Sequence, residues 1–110
     1  MEISIDKQPK AIIVVVKGHM DAVSGPVFER TMADHIATGA SRFVVDFSAL
    51  EYISSAGLRS LLTTAKSLRA CDGELVFAGL RDVVREVFEI GGFSAIFSTY
   101  DSTDAALKRW

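Results

Sequence analysis

The stretch FVVDFSALEYISSAGLRSLLTTAKSL, residues 43–68, decides the fold because its hydrophobic period changes partway along. Its first five residues are apolar except for Asp46, which is typical of a strand buried on both faces. Its last part predicts an amphipathic helix, since apolar residues recur at i, i+3, i+4, i+7 and i+10; these residues are Leu58, Leu61, Leu62, Ala65 and Leu68. A buried strand followed through a short loop by such a helix indicates a parallel α/β sheet.

Two strands are predicted on the N-terminal side of this stretch. Residues Met1–Lys7 alternate in polarity, with Ile3 and Ile5 on one face, which predicts a half-buried edge strand. Residues Ala11–Val16 form an unbroken apolar run, which predicts a second strand that is covered on both faces and ends at Gly18.

Three further helices and two further strands complete the predicted order. Helical spacing of apolar residues begins after Pro26, after Asp82, which is placed to cap its helix, and at about Ser102–Lys108. Strands are predicted at Leu75–Ala78 and, more weakly, around Ala95–Thr99. The inward residues predicted for the helix after Asp82 are Val83, Val84, Val87 and Phe88.

The resulting order, ββαβαβαβα, predicts an α/β fold. Strands that alternate with helices are joined by right-handed crossovers, so most of the sheet should be parallel. The first strand has no helix before the second, so it should be an antiparallel edge strand. We therefore expect one domain over residues 1–110, with a mostly parallel sheet, about four helices and no linker.

Composition narrows the classes of function. Twelve basic and fourteen acidic residues give a net charge of -2, without the basic face that a nucleic-acid partner requires. The longest aliphatic run, Ala11–Val16, is far shorter than the roughly 20 residues that cross a bilayer. The lone Cys71 allows no internal disulfide. We expect a cytoplasmic protein with no nucleic-acid partner and no membrane insertion.

The common catalytic motifs are absent from the sequence. Neither G-x-G-x-x-G nor G-x-x-x-x-G-K-[ST] occurs, and Ser54–Gly57 lacks the glycine that a nucleophile elbow needs two residues before its serine. The two histidines are too few for most metal sites; His35 falls within the first helix and His19 in the loop after the second strand. We expect neither an enzyme nor a cofactor.

Residues 46–58 lead from a strand end into a helix start, where parallel α/β folds place functional loops. Ser54 or Ser55 is positioned to cap the helix by accepting a free backbone N–H, an interaction worth about 1 kcal/mol. One hypothesis is therefore that this serine serves only as a structural cap of the helix.

The residues of this segment also support a second hypothesis. The pattern D-x-S-x-L-x-x-I-S-S-A-G-L-R, from Asp46 to Arg59, resembles the signature of STAS domains, and specifically of the anti-sigma factor antagonists. Gly18-His19-Met20-Asp21 is similar to the G-x-[LI]-D loop that follows the second long strand of that family. The order of elements also agrees, so the resemblance covers the whole chain.

The resemblance implies a phosphorylation switch. In the family motif D-S-[ST]-G-L the first serine accepts phosphate, and alignment on Gly57 and Leu58 puts the acceptor at Ser55. Ser54 then replaces the aspartate and Ala56 the second hydroxyl. The implied partners are an anti-sigma factor serine kinase of the GHKL type, which the unphosphorylated form binds so that a sigma factor is released, and a PP2C-type phosphatase that resets the serine. ATP would be the nucleotide of the kinase.

The expected position of Ser55 in a partner interface predicts a set of partner-binding residues around it: Asp21, Ser24, Ser54, Ser55, Gly57 and Arg59. Asp21 and Ser24 follow the second strand and are expected beside Ser55 on one face. Asp21 has the alternative of capping the first helix. Arg59 lies one turn into the second helix, and the alternative to a partner contact is that it only lies on the solvent-exposed face of that helix.

Two other functions remain open on the sequence alone. A STAS subunit of a lipid-transport or signalling-scaffold complex would use Ser55 only for packing or capping. A small-ligand or nucleotide-binding domain would use a pocket between the loops at residues 18–25 and 48–57, although no glycine-rich phosphate loop supports it.

Overall fold

The apolar runs form a five-stranded sheet whose strands follow one another in chain order. The computed structural model describes residues 1–110. The first strand pairs antiparallel with the second, and every other pair is parallel, which confirms the predicted fold class. The strands are β1 (Glu2–Lys7), β2 (Ile12–Met20), β3 (Arg42–Ile53), β4 (Glu74–Ala78) and β5 (Thr99–Tyr100).

Five helices cover the two faces of the sheet unequally. They are α1 (Gly25–Ala37), α2 (Ser55–Arg69), α3 (Asp82–Ile90), α4 (Phe93–Ile96) and α5 (Thr103–Leu107). The first four pack on one face, where the larger core cluster contains residues such as Phe28 of α1, Leu61 of α2 and Phe88 of α3. The short α5 covers the other face, with Ala106 packed among Val44 and Val76.

Alternation along β3 divides its side chains between these two cores. Phe43, Val45 and Phe47 face α1–α3, whereas Val44 faces α5, and all four are fully buried. A cluster of phenylalanines fills the space under α3 and α4. Its centre is Phe77, whose ring centroid lies 5.2 Å from that of Phe47, 5.3 Å from that of Phe88 and 5.0 Å from that of Phe97.

β2 and β3 are longer than predicted. β2 continues through Gly18 to Met20, and β3 continues beyond Phe47 to Ile53. The two strands stay paired there through two register shifts, after β4 has ended at Ala78, so they form a parallel ribbon that we call the β2–β3 extension (residues 17–20 and 49–53). His19 consequently lies in a strand and not, as predicted, in a loop.

The segment after α3 also differs from the prediction. The weak strand expected around Ala95–Thr99 is the helix α4 followed by the two-residue β5. Gly92 has a φ of 76°, and this turn restarts the helix so that Phe93 and Phe97, four residues apart, both pack against the core. The helix α4 has only four residues and follows two glycines, so its sequence is too short to show a helical period and α4 was not predictable.

The start of α3 corrects two further predictions. Asp82 does not cap the helix: Arg81 is the N-cap residue, it makes no side-chain cap bond, and Asp82 is the first helical residue. Val83 is 48% exposed, whereas Val84 and Phe88 are buried and Val87 is half-buried. Val83 and Val84 are adjacent, about 100° apart around the helix, so only one of them can point at the sheet.

The C-terminus is fixed at the end of the sheet where the parallel strands begin. The Arg109 guanidinium forms an ion pair with Glu74 at the start of β4 and donates to the Tyr100 hydroxyl; these hydrogen bonds raise the pKa of Arg109. The guanidinium carbon of Arg42, the first residue of β3, lies 5.8 Å from the centre of the Trp110 ring.

Candidate functional site

Ser54 is the cap of α2. Its backbone is extended, and its Oγ accepts a hydrogen bond from the N–H of Gly57 at 3.1 Å. Its own N–H donates to the carbonyl oxygen of Met20 at 2.9 Å, which ties the start of α2 to the end of β2. Both polar groups of Ser54 therefore have structural partners, and of the two candidate serines it is this one that caps the helix.

Ser55 is the first residue of α2 and is exposed. Its hydroxyl forms no hydrogen bond, and neither its N–H nor that of Ala56 donates to a protein acceptor. The first turn of α2 contains no acidic residue. A free hydroxyl thus stands at the positive end of a 15-residue helix, where a negative charge is stabilised by the helix dipole and by free N–H groups.

Gly57 allows α2 to approach β2 closely. A Cβ at this position would lie 2.5 Å from the carbonyl oxygen of Met20 and 2.9 Å from Cγ1 of Ile53. Gly57 is itself buried, and its packing sets how closely α2 lies against the end of β2. Its contact with a partner stays a prediction.

Asp21 and Ser24 order the turn between β2 and α1. Asp21 Oδ1 accepts from the N–H groups of Val23 at 2.9 Å and Ser24 at 3.0 Å. The Ser24 hydroxyl donates to the carbonyl oxygen of His19 at 2.9 Å and accepts from the N–H of Asp21 at 2.9 Å. The N–H of Ser24, and after it that of Val23, lower the pKa of the Asp21 carboxyl. Ser24 is the N-cap residue of α1, so Asp21 organises the turn and does not cap the helix.

The turn at residues 21–24 lies beside the start of α2. A Cβ on Gly25 would lie 2.5 Å from Oγ of Ser60, whose hydroxyl donates to Glu29 at 2.7 Å, so α1 and α2 are in contact near their N-termini. A groove of about 240 Å³ runs between them. Its lining residues are Ala22, Pro26, Glu29, Ala56, Arg59, Ser60 and Thr63.

Two exposed apolar side chains lie in the segments that lead into α1 and α2, and neither was predicted from the sequence. Val23 in the turn is 83% exposed, and Tyr52, three residues before Ser55, is 44% exposed. The Tyr52 ring makes an edge contact with His19, which lies 3.5 Å from the Glu51 carboxylate. We call the exposed residues within 19–24 and 51–59 the Ser55 surface. A valine in a polar turn, D-A-V-S, is the signal from which this surface was predictable.

Replacing Ser54 by alanine tests the cap. We expect Ser54→Ala to lower the free energy of unfolding by about 1 kcal/mol, because the N–H of Gly57 loses its acceptor. Urea denaturation followed by circular dichroism measures the change. Ser55→Ala is the matched control and should leave stability nearly unchanged, since its hydroxyl has no partner. Equal losses in the two variants would contradict the assignment of Ser54 as the cap.

The structure places no metal-binding group of histidine, cysteine or acidic residues together. None of the helices has the length and hydropathy that a membrane span requires.

The chain is similar to known proteins over nearly its whole length. The model of the family described as STAS domain matches residues 2–106. The chain is 42% identical over 106 residues to BtrV of Bordetella bronchiseptica, which carries the name of an anti-sigma factor antagonist, and the match covers 96% of this chain and 91% of that one.

Solved structures show the same fold. An anti-sigma factor antagonist from Mycobacterium paratuberculosis superposes with a TM-score of 0.88 at 24% identity, covering 98% of this chain and 92% of that one. The Bacillus cell fate determinant SpoIIAA, solved in its phosphorylated form, superposes with a TM-score of 0.77 at 17% identity, covering 98% of each chain.

Proposed function

The chain belongs to the STAS domain family, and from that premise we propose that it is an anti-sigma factor antagonist controlled by phosphorylation at Ser55. Its unphosphorylated form binds an anti-sigma factor serine kinase of the GHKL type and thereby releases a sigma factor. The observation that carries this proposal is the exposed, unbonded hydroxyl of Ser55 at the start of α2, beside a second serine whose hydroxyl is already used as the cap.

The Ser55 surface supports binding in the unphosphorylated state. Val23 and Tyr52 expose apolar area at the end of the sheet where β2 and β3 finish and Ser55 begins α2, and burial of such area stabilises a complex. An uncharged hydroxyl fits within a close-packed contact of this kind. Of the residues nominated from the sequence, Ser55 and Arg59 are exposed and can meet the partner, whereas Asp21, Ser24 and Ser54 are half-buried and hold the surface in shape.

Phosphorylation then acts on the complex and not on the fold. A phosphoserine carries about -1.5 to -2 charges at pH 7, and these face the positive end of α2. The same charge has to be desolvated when a partner covers Ser55, which opposes binding. The kinase transfers the γ-phosphoryl group of its own bound ATP to the Ser55 hydroxyl and is left with ADP, so the chain itself needs no cofactor. A PP2C-type phosphatase then removes the phosphoryl group by hydrolysis.

Capture from lysate of the native host tests the proposal. The baits are the unsubstituted chain, Ser55→Asp and, as the matched control, Ser67→Asp, which adds the same charge to an exposed position near the other end of α2. We expect the first and third baits to retain a GHKL-type serine kinase and Ser55→Asp to lose it. The captured kinase, purified and supplied with Mg·ATP, should place one phosphoryl group on Ser55, as read by mass spectrometry.

Two results would overturn the proposal. If all three baits retain the same proteins and none is a kinase, Ser55 is only a packing residue and the chain is a scaffold or transport subunit. If the captured kinase modifies Ser54 or another residue and leaves Ser55 unmodified, the switch lies elsewhere.

A further inference from the structure

Arg59 lies one helical turn after Ser55 and has no partner of its own. Four positions separate the two residues in α2, so their side chains share a helix face, with Cβ atoms about 5–6 Å apart. Both residues are exposed. The Arg59 guanidinium takes part in neither of the two ion pairs of the structure and donates no hydrogen bond.

The position of Arg59 is unfavourable in the unmodified helix. α2 has three basic residues and no acidic one. Lys66 and Arg69 lie in the last turn, where a cation stabilises the negative end of the helix. Arg59 lies near the positive end, and no acidic residue in the first turn compensates it. The unmodified chain therefore lacks an anion at the point where this arginine would pair with one.

The carboxylate of the groove and those of the two segments next to Ser55 have other contacts. Glu29, which lines the groove with Arg59, accepts a hydroxyl hydrogen bond from Ser60. Asp21 accepts two backbone N–H groups in its own turn. The Glu51 carboxylate lies 3.5 Å from Nε2 of His19 on the β2–β3 extension.

We propose that Arg59 is the intramolecular partner of a phosphoryl group on Ser55. The proposal rests on the proposed function, because it requires that Ser55 is phosphorylated. An anion that precedes its cation by four residues is the better of the two orientations on a helix, and a guanidinium forms strong, often bidentate hydrogen bonds with phosphate. Phosphorylation thus removes a free cation from the Ser55 surface at the same time as it adds a dianion. A partner that contacts Arg59 then loses its contact with the guanidinium and also meets a bulky charged group where the Ser55 hydroxyl was.

The second ionisation of the phosphate measures this pairing. Phosphoserine is incorporated at position 55 by genetic encoding, so that no kinase is needed, and the phosphorus resonance is titrated at low ionic strength. Because Arg59 stabilises the dianion more than the monoanion, we expect Arg59→Gln to raise this pKa by about 0.2–0.4 unit relative to the unsubstituted phosphoprotein. Lys66→Gln removes the same charge at a position about 16 Å from Ser55 along α2 and should change the pKa by about 0.1 unit or less.

A second measurement, on the Arg59 side chain itself, distinguishes a hydrogen bond to the phosphate from a general effect of charge. The Nε–H resonance of Arg59 should shift and exchange more slowly with solvent in the phosphoprotein, and Arg59→Lys should recover only part of the pKa change. Equal pKa values for the Arg59→Gln and Lys66→Gln phosphoproteins, with an unaltered Nε–H resonance, would overturn the pairing. Because the phosphoserine is built in, that result would leave the proposed function standing, whereas the lysate capture fails or succeeds independently of Arg59.

Discussion

The Gly57→Ala variant is expected to lose about 2–3 kcal/mol of unfolding free energy, although it replaces a helical glycine by the best helix former. The added methyl group would lie 2.5 Å from the carbonyl oxygen of Met20, a backbone atom that cannot rotate away. To relieve this contact, α2 has to move off β2 and stretch the hydrogen bond from Ser54 to Met20. The gain in helix propensity, about 1 kcal/mol at most, is too small to compensate.

Gly25→Ala is the matched control for this prediction. Its Cβ would also lie 2.5 Å from a neighbouring atom, but that atom is Oγ of Ser60, which can change its rotamer at the cost of its hydrogen bond to Glu29. We therefore expect Gly25→Ala to lose about 1 kcal/mol or less. Urea unfolding of both variants gives the comparison. A Gly57→Ala variant as stable as Gly25→Ala would show that α2 has room to move at this end.

Phosphoserine at position 55 should weaken binding to the kinase partner by about a thousandfold, which corresponds to about 4 kcal/mol. Val23 follows β2 and Tyr52 lies near the end of β3, at the same end of the sheet as Ser55, so we expect a partner that buries these side chains to cover the phosphate as well. A buried dianion loses its hydration, and the helix dipole that stabilises it in the free protein offers nothing more in the complex. Titration calorimetry of the two forms against the purified partner measures the ratio of dissociation constants.

The fold of the phosphoprotein should be unchanged, which separates an effect on the interface from unfolding. Its thermal midpoint should equal or slightly exceed that of the unmodified chain, since the charge faces the start of α2. Phosphoserine encoded at position 67, exposed on the same helix, is the control and should leave the affinity within about threefold. A loss of less than about tenfold for phosphoserine 55 would contradict the assignment of Ser55 as the switch.

The buried strands were predictable because their signal is local. β4 and the first halves of β2 and β3 are short apolar runs, whose length and content of β-branched and aromatic residues are typical of strands covered on both faces. The β2–β3 extension was not predictable in the same way. Its exposed residues, such as Ala49 and Glu51, are typical of a loop in the sequence, and the pairing that makes them a strand is with β2, about thirty residues away in the chain.

The candidate site shows the same division. That a serine at the start of α2 caps the helix follows from the sequence, but which of Ser54 and Ser55 does so depends on the backbone angle at the end of β3. The packing role of Gly57 was not predictable from the sequence, because its burial arises from the approach of Met20, which no local pattern records. The exposure of Val23 is likewise a property of the turn that Asp21 holds.

The two chain ends lie at opposite ends of β3, and this has a practical consequence for any fusion to the chain. Met1 lies against Gly18 in the β2–β3 extension, with its Cα 3.6 Å from where a Cβ of Gly18 would be. Trp110 lies near Arg42, and the 12 residues of β3, about 3.3 Å each, separate that point from Ser55. A fluorophore or surface tether attached after Trp110 therefore leaves the Ser55 surface open to its partner, whereas the same group attached before Met1 would crowd it.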